Sequence, residues 1–417
     1  MNRDKLIEIK HPIVESVFTL YTVGYLVLSI LPMVKYSVPY IISGIYCLSF
    51  ILLYFFKENQ SRKRLLGIEA IIFMGLIHGT IFYLTENGGV SQIINEPIRA
   101  LRIIISCYIF YFISGYSKGT RLVIWLFITV LFLYISIKTL NGLAQDDMLA
   151  RILASGSDEE TLTEYRMQNM GGFEFSYALG LMLPMFILMI FNSKYFIMRL
   201  FALFASIYVV YYILTAQYMI LFIVGVSSLF LLVIFGSYKP QVKLFTILIP
   251  VVFIFIASPL LRWIASFLDS NSIMYSRLIN VSEVFTGERD VSETSSRVAL
   301  YLNALTAFLT NPFFGEFSST AAAESHSLFF GVAAKSGIIG LTFLIIEFVI
   351  YYKTSKTIMQ KRGVNIMSFK VAFICYIILG VLNPIGYAYE IAIVIFLYVP
   401  LTINLFGNKT SEHYEII

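Results

Sequence analysis

The side chains best suited to chemistry in this 417-residue chain are arginines and one histidine placed in polar stretches between long apolar runs. Arg297 opens the stretch "RVALYLNALTAFLTNPFFG", and Glu324 and His326 stand in "ESHSLFFGVAAKSGIIG", where a small, polar loop runs into an apolar helix. Arg166, with Tyr165 beside it, lies in an earlier polar stretch, Arg277 lies between the two, and Arg99 and Arg102 fall at i and i+3 in "NEPIRALRIIISCY". A guanidinium fork matches a phosphate or an acidic sugar in a bidentate manner. An imidazole titrates near neutrality and can take a proton from a hydroxyl. Together these residue types suit the gripping of an anionic leaving group while a hydroxyl is deprotonated. Arg166, Arg277, Arg99, Arg102 and Tyr165 are the candidate binding residues, and His326, Arg297 and Glu324 the candidate catalytic ones. The bland alternatives are surface pairing of arginines with neighbouring acids, notably for Arg151 and Arg289, and a histidine that is only a hydrogen-bonding group. Asp146–Asp147 is the one weak metal-ligand candidate, so no metal and no cofactor is expected.

These residues need elements to hold them. The composition is 58% hydrophobic and 13% charged, roughly half the charge fraction of a soluble domain. Apolar runs of about 20 residues recur along the chain, and that length crosses a bilayer core. Spans are expected near 16–34, 37–56, 65–84, 97–116, 122–137, 173–192, 200–214, 216–235, 244–262, 327–352, 367–383 and 388–407. The expected fold is therefore all-α, a single polytopic bundle of about twelve spans over 1–417. The continuous run 200–235 must break near "TAQY" into two helices. The basic start "MNRDKLIEIK" precedes a long apolar run without a small-residue cleavage site, which reads as a retained first helix. Cys47, Cys107 and Cys375 lie in apolar runs without paired spacing and read as buried thiols.

Every second connection is basic: "KENQSRKR", "SKGTR", "NSKYFIMR", "SYKPQVK" and "KTSKTIMQKR". Both termini share that side, which the positive-inside rule assigns to the cytoplasm. The net charge of +5 thus reports membrane orientation and not nucleic-acid binding. Two long loops, 138–172 and 264–325, then face outward and carry most of the candidate residues, with His326 just past the second. Long loops of this kind are usually functional. In the second, Thr294, Ser295 and Ser296 are helix-capping types, and Val298, Tyr301, Leu302, Leu305, Phe308 and Leu309 recur at helical spacing before Asn311, Pro312 and Gly315 stop the run. An amphipathic helix on the membrane surface is expected there, with Arg297 in its first turn, where free N–H groups favour an anion.

The order Arg297, helix, "NPFFG", small-residue loop, His326 and "KSGIIG" resembles the C-terminal core of the O-antigen polymerase (Wzy-type) and O-antigen ligase superfamily. The motif likeness covers 297–340, and the likeness in topology covers the chain. The resemblance implies a GT-C-like membrane glycosyltransferase of the bacterial inner membrane, metal-independent, with its site facing the periplasm or exterior. It would transfer a glycan from undecaprenyl diphosphate to a sugar hydroxyl of another lipid-linked repeat unit, making O-antigen, capsule or exopolysaccharide. A chain-length regulator and a flippase are the partners it implies. The ligase alternative usually shows a Ser-Arg pair in a middle helix, where this chain has Gln217 and Tyr218. A lipid-linked-oligosaccharide flippase or other transporter is the alternative of a different class, for which Glu69, His78, Glu347 and Glu390 would offer a proton path. Such a protein keeps polar groups at the bilayer midplane, whereas this sequence concentrates them in outer loops.

Overall fold

A computed structural model describes residues 12–38, 105–145, 159–216, 218–235, 258–270, 292–316, 326–385 and 388–407, with a few isolated helical residues elsewhere. The described residues are helical and contain no strand. Besides a helical stretch at 258–265, the helices include α1 (Pro12–Ile30), α2 (Pro32–Ser37), α3 (Ile105–Ser114), α4 (Lys118–Gln145), α5 (Glu159–Met167), α6 (Phe173–Leu181), α7 (Leu183–Asn192), α8 (Phe196–Ala216), α9 (Met219–Phe235), α10 (Ser292–Thr310), α11 (Leu328–Lys361), α12 (Met367–Leu382) and α13 (Tyr389–Phe406). Five helical stretches among them are long and apolar enough to cross a membrane, α6 and α7 counting as one. The chain is a helical, membrane-embedded protein. The expected spans at 65–84 and most of 37–56 and 244–262 lie outside the described residues.

α13 is the axis of the bundle. Its apolar window is 94% buried, against 28% for α8 and 22% for α11, whose outer faces are left for lipid. Its middle, Val394–Tyr398, widens to a π-turn. Pro400 accounts for that, because it cannot donate to the carbonyl four residues back and its ring crowds that carbonyl. α4 runs antiparallel to α13 along a ladder of side-chain hydrogen bonds. Arg121 donates to Asn404, Trp125 Nε1 donates to Thr402 Oγ1 at 2.9 Å, and the Thr129 and Tyr398 hydroxyls meet at 2.9 Å. Ser136 with Tyr208, Ser176 with Tyr212 and Tyr25 with Ser106 make further bonds between helices. Such bonds, together with close packing, hold helices together where lipid offers no hydrophobic drive.

The two ends of the bundle differ. At one end the basic connections among the described residues collect: 117–121, 193–199 and 353–362. Glu15 accepts from Ser117 N at 3.1 Å and from Thr120, Lys118 Nζ donates to Tyr195 at 3.4 Å, and Ser193 pairs with Gly407. The opposite end holds the extensions of α1, α5 and the starts of α6, α11 and α13.

Two expectations are refined. The break in 200–235 falls at 217–218, between α8 and α9. α4 continues to Gln145, so the stretch read as loop from 138 begins with two more helical turns.

Candidate functional site

The densest charged site in the described structure lies at the end opposite the basic connections. α1 stops at Ile30; Leu31 is extended, and Pro32 opens the short helix α2. That bend carries Lys35 back over the bundle end instead of into solvent. Its Nζ lies 2.9 Å from Glu174 Oε2, 2.9 Å from Glu390 Oε1 and 3.2 Å from Glu390 Oε2. Only 8% of the Lys35 side chain and 5% of Glu390 are exposed, while Glu174 keeps 28%. Glu174 and Glu390 each occupy the first turn of a helix, and Lys35 the last turn of α2, so all three complement the helix dipoles. Burial works against the ammonium, but Glu174 and Glu390 outweigh it and hold the Lys35 pKa well above its usual value. The Tyr36 and Tyr389 rings flank the ammonium at 5.2 and 5.3 Å.

Arg166 reaches the same place. Its guanidinium carbon stands 3.8 Å from the centroid of the Tyr36 ring, a cation–π stack. The C-terminus of α5 closes with Asn169 at φ 60° and Met170 N donating to Tyr165 O at 3.0 Å. Asn169 Oδ1 then accepts from Met33 N at 3.1 Å, fastening the first long loop to α2. Tyr165 packs against the main core.

The second long loop arrives at this end by a different route. α10 starts at Ser292, two residues before the expected capping cluster, and ends at Thr310, as the Asn-Pro signal requires. The Tyr301 hydroxyl donates to Leu382 O at 3.3 Å. Ala304 and Ala307 pack on Ala334 of α11, while Leu302, Leu305 and Leu309 of the expected stripe remain exposed. "NPFFG" then meets "KSGIIG" backbone to backbone. α11 is broken at Gly337, whose φ of 61° favours glycine. The break frees Ile338 N to donate to Pro312 O at 2.8 Å and Ala334 O to accept from Glu316 N at 2.7 Å. A Cβ on Gly337 would lie 2.3 Å from Phe313 O, and one on Gly315 2.4 Å from Lys335 C. Gly315 and Gly337 are the residues that permit this main-chain junction.

His326 is exposed and precedes the N-cap of α11. Ser327 supplies that cap, accepting from Phe330 N at 3.3 Å and donating to Gly380 O at 3.3 Å. Leu328 N donates to Asn383 O at 3.2 Å, and Asn383 Nδ2 donates to the Tyr177 hydroxyl at 2.9 Å. Tyr177 stands one turn after Glu174 on α6. Asn383 therefore joins the His326 segment to the helix that carries Glu174. The backbone of Arg297 lies in α10, and its side chain lies outside the described part. Arg99, Arg102, Arg277 and Glu324 also lie outside the described residues.

Lys35 and Glu174 were not among the sequence candidates, and Glu390 was read only as a weak proton-path residue. The available signal was "PMVKYS", a single cation in a short connection on the side where the other short connections, "TENGGVSQIINEP" and "NPIGYAYE", have none. Glu347 accepts from Tyr351 at 2.6 Å along α11. Among the described residues, no group of three or more His, Cys, Asp and Glu side chains assembles that could hold a metal ion.

A scan against models of known protein families gives no match, and a search of curated proteins gives none either.

Proposed function

We propose that this chain is a membrane polysaccharide polymerase, with the Lys35–Arg166–His326 end facing the cell exterior and both termini in the cytoplasm. The orientation follows from the positive-inside rule. The donor is a glycan on undecaprenyl diphosphate and the acceptor a terminal sugar hydroxyl of a second lipid-linked repeat unit. The acceptor oxygen forms a bond to the anomeric carbon, the bond from that carbon to the diphosphate oxygen breaks, and the acceptor proton passes to a base. His326, exposed at the mouth of α11, takes that proton, with Glu324 as the second candidate. Arginines neutralise the departing diphosphate without needing a metal: Arg166 from the first loop, Arg297 and Arg277 from the second, and Arg99 and Arg102 at a span end.

The observation that carries this reading is the double bonding of Asn383 to Leu328 and Tyr177. It ties together the helices that follow the two long loops, α6 and α11, at one end of the bundle, as a two-substrate reaction at the membrane boundary requires. The junction of "NPFFG" with "KSGIIG" gives the motif order a structural purpose and supports the resemblance. The test is incubation of the purified chain with one synthetic undecaprenyl-diphosphate repeat unit, without metal or nucleotide. A ladder of longer glycans is expected; no ladder across several repeat units of differing sugars overturns the proposal.

One observation favours a second reading, transport of the lipid-linked glycan. Lys35, held between Glu174 and Glu390, joins three helices by an ion pair of the kind that closes a transport path. Transport of intact donor across acceptor-free vesicles would mark that outcome.

A further inference from the structure

A pocket of about 490 Å³ lies beside the charged site and plays no part in the chemistry above. That volume is in the range of small-molecule sites. One wall is a stripe of α4: Tyr134, Lys138, Asn141 and Gln145, at i, i+4, i+7 and i+11 on one helix face. The other wall is the turn after α5, with Gln168 and Asn169.

Both walls are fixed in place. Gly142 lets the turn approach α4 closely, since a Cβ there would lie 2.6 Å from Leu149 Cδ2 and 2.7 Å from Met170 Sδ. Gly171 N donates to Thr139 Oγ1 at 2.8 Å, and Asn169 is tied to Met33 on the far side. Depth in the membrane also matters. The 28 residues of α4 extend about 42 Å, whereas the hydrocarbon core takes about 30 Å. With the basic start of α4, Lys118 and Arg121, held at the opposite boundary, its last turns reach past the core, and the pocket opens at and above the boundary.

The lining is suited to one chemistry. Carboxamides offer a donor and an acceptor together, and sugar hydroxyls require both. Asn141, Gln145 and Gln168 present three of them on exposed side chains, Lys138 adds ammonium donors, and Tyr134 adds an aromatic ring with a polar tip. Among the described residues, no carboxylate lines the pocket. Among the described residues, Lys138, Asn141 and Gln145 make no hydrogen bond or ion pair within the protein, so their polar groups are open to a ligand. Arg166, whose carbonyl accepts from Asn169 N at 3.0 Å, is two residues from Gln168.

We infer that this pocket is an oligosaccharide subsite, holding sugar residues of a glycan whose reacting end lies toward Arg166. The inference deepens the polymerase reading and takes its ligand class from it, but the pocket can be tested on its own. The probe is an array of purified microbial oligosaccharide and polysaccharide fragments, developed with the labelled full chain in lipid nanodiscs. Asn141→Ala with Gln145→Ala, and separately Lys138→Ala, are compared with the unaltered chain. All three positions are exposed, and monodispersity with an unchanged unfolding temperature verifies folding. Retention of at least one glycan, weakened roughly tenfold or more by the double substitution, is expected. No glycan retained, or retention indifferent to the substitutions, overturns the inference. The two proposals then separate. A product ladder with an unchanged acceptor KM in the double variant removes the subsite and leaves the polymerase. Substitution-sensitive glycan binding without a ladder removes the polymerase and leaves the subsite.

Discussion

Lys35 and Glu390 are 355 residues apart in sequence and meet at 2.9 Å. One follows the first helix and the other begins the last, so the contact closes the bundle at the end where the long loops gather. Glu174 shares the ammonium and brings in α6, which starts where the first loop ends. An ammonium this buried is tolerated only with its partners. The site is therefore a rigid floor beside which Arg166 stacks on Tyr36, while His326 is exposed at the start of α11 at the same end.

Removing the ammonium should be costly. Lys35→Met leaves Glu390 buried beside Glu174 without a cation, and a loss of about 3–5 kcal/mol is expected. Adding Glu390→Gln to Lys35→Met should recover part of that loss, giving a coupling of about 1 kcal/mol or more. Unfolding in detergent micelles, followed by circular dichroism for the four members of the cycle, measures it. Additive effects would show that the contact does not stabilise the bundle.

Alkaline pH should weaken the same clamp. The folded pKa of Lys35 is raised above its usual 10.5. Its stabilisation is complete below that value and is lost as pH rises through the folded pKa. The unaltered chain should thus lose more stability than Lys35→Met between pH 9 and about pH 12, and the two should run parallel between pH 6 and pH 9 as far as this group is concerned. Thermal unfolding across the series is the check.

The glycine junction offers a contrast within one helix and its end. Gly337 has φ 61° and Phe313 backbone against it, while Gly363 has φ 67° and nothing within 4 Å. Gly363→Ala should cost about 1–2 kcal/mol of backbone strain. Gly337→Ala should cost clearly more, because the loop bearing "NPFFG" must also move. Folded yield and unfolding temperature of the two variants decide it; equal losses would mean that the junction carries no stability.

His326 and Ser327 are neighbours with different expected roles. Ser327→Ala removes a helix cap and should cost about 1 kcal/mol of stability. His326→Ala, at an exposed position, should keep the chain folded and slow glycan transfer on the order of 100-fold. Stability and rate, measured on both variants, separate the roles.

Arg166 tests the aromatic stack. Arg166→Lys keeps the charge but loses the planar group over Tyr36. The expected result is a raised donor KM with little change in stability, and Arg166→Ala should raise it further.

Much of this arrangement could be read from local signals. Apolar run length gave the helical membrane class, and Asn311-Pro312 correctly ended α10. "TAQY" marked the break between α8 and α9. What could not be read was long-range. Lys35 looked like an ordinary residue in a short connection, because its partners lie 139 and 355 positions away. The role of Gly337 was hidden for a similar reason: the backbone it meets, at Phe313, belongs to a different stretch of chain. α4 ran past its expected end at 137 because "KTLNGLAQ" is polar yet still helix-compatible, and length against the bilayer does not stop a helix in water.

The most direct measurement follows the fate of the lipid carrier. Purified chain is reconstituted in vesicles with a synthetic undecaprenyl-diphosphate repeat unit labelled in both glycan and lipid, and released undecaprenyl diphosphate is counted against new glycosidic bonds. The expected result is one carrier released for each bond formed, falling together in His326→Ala. Intact donor moved to the opposite leaflet, with no carrier released and no bond formed, would contradict the proposed reaction.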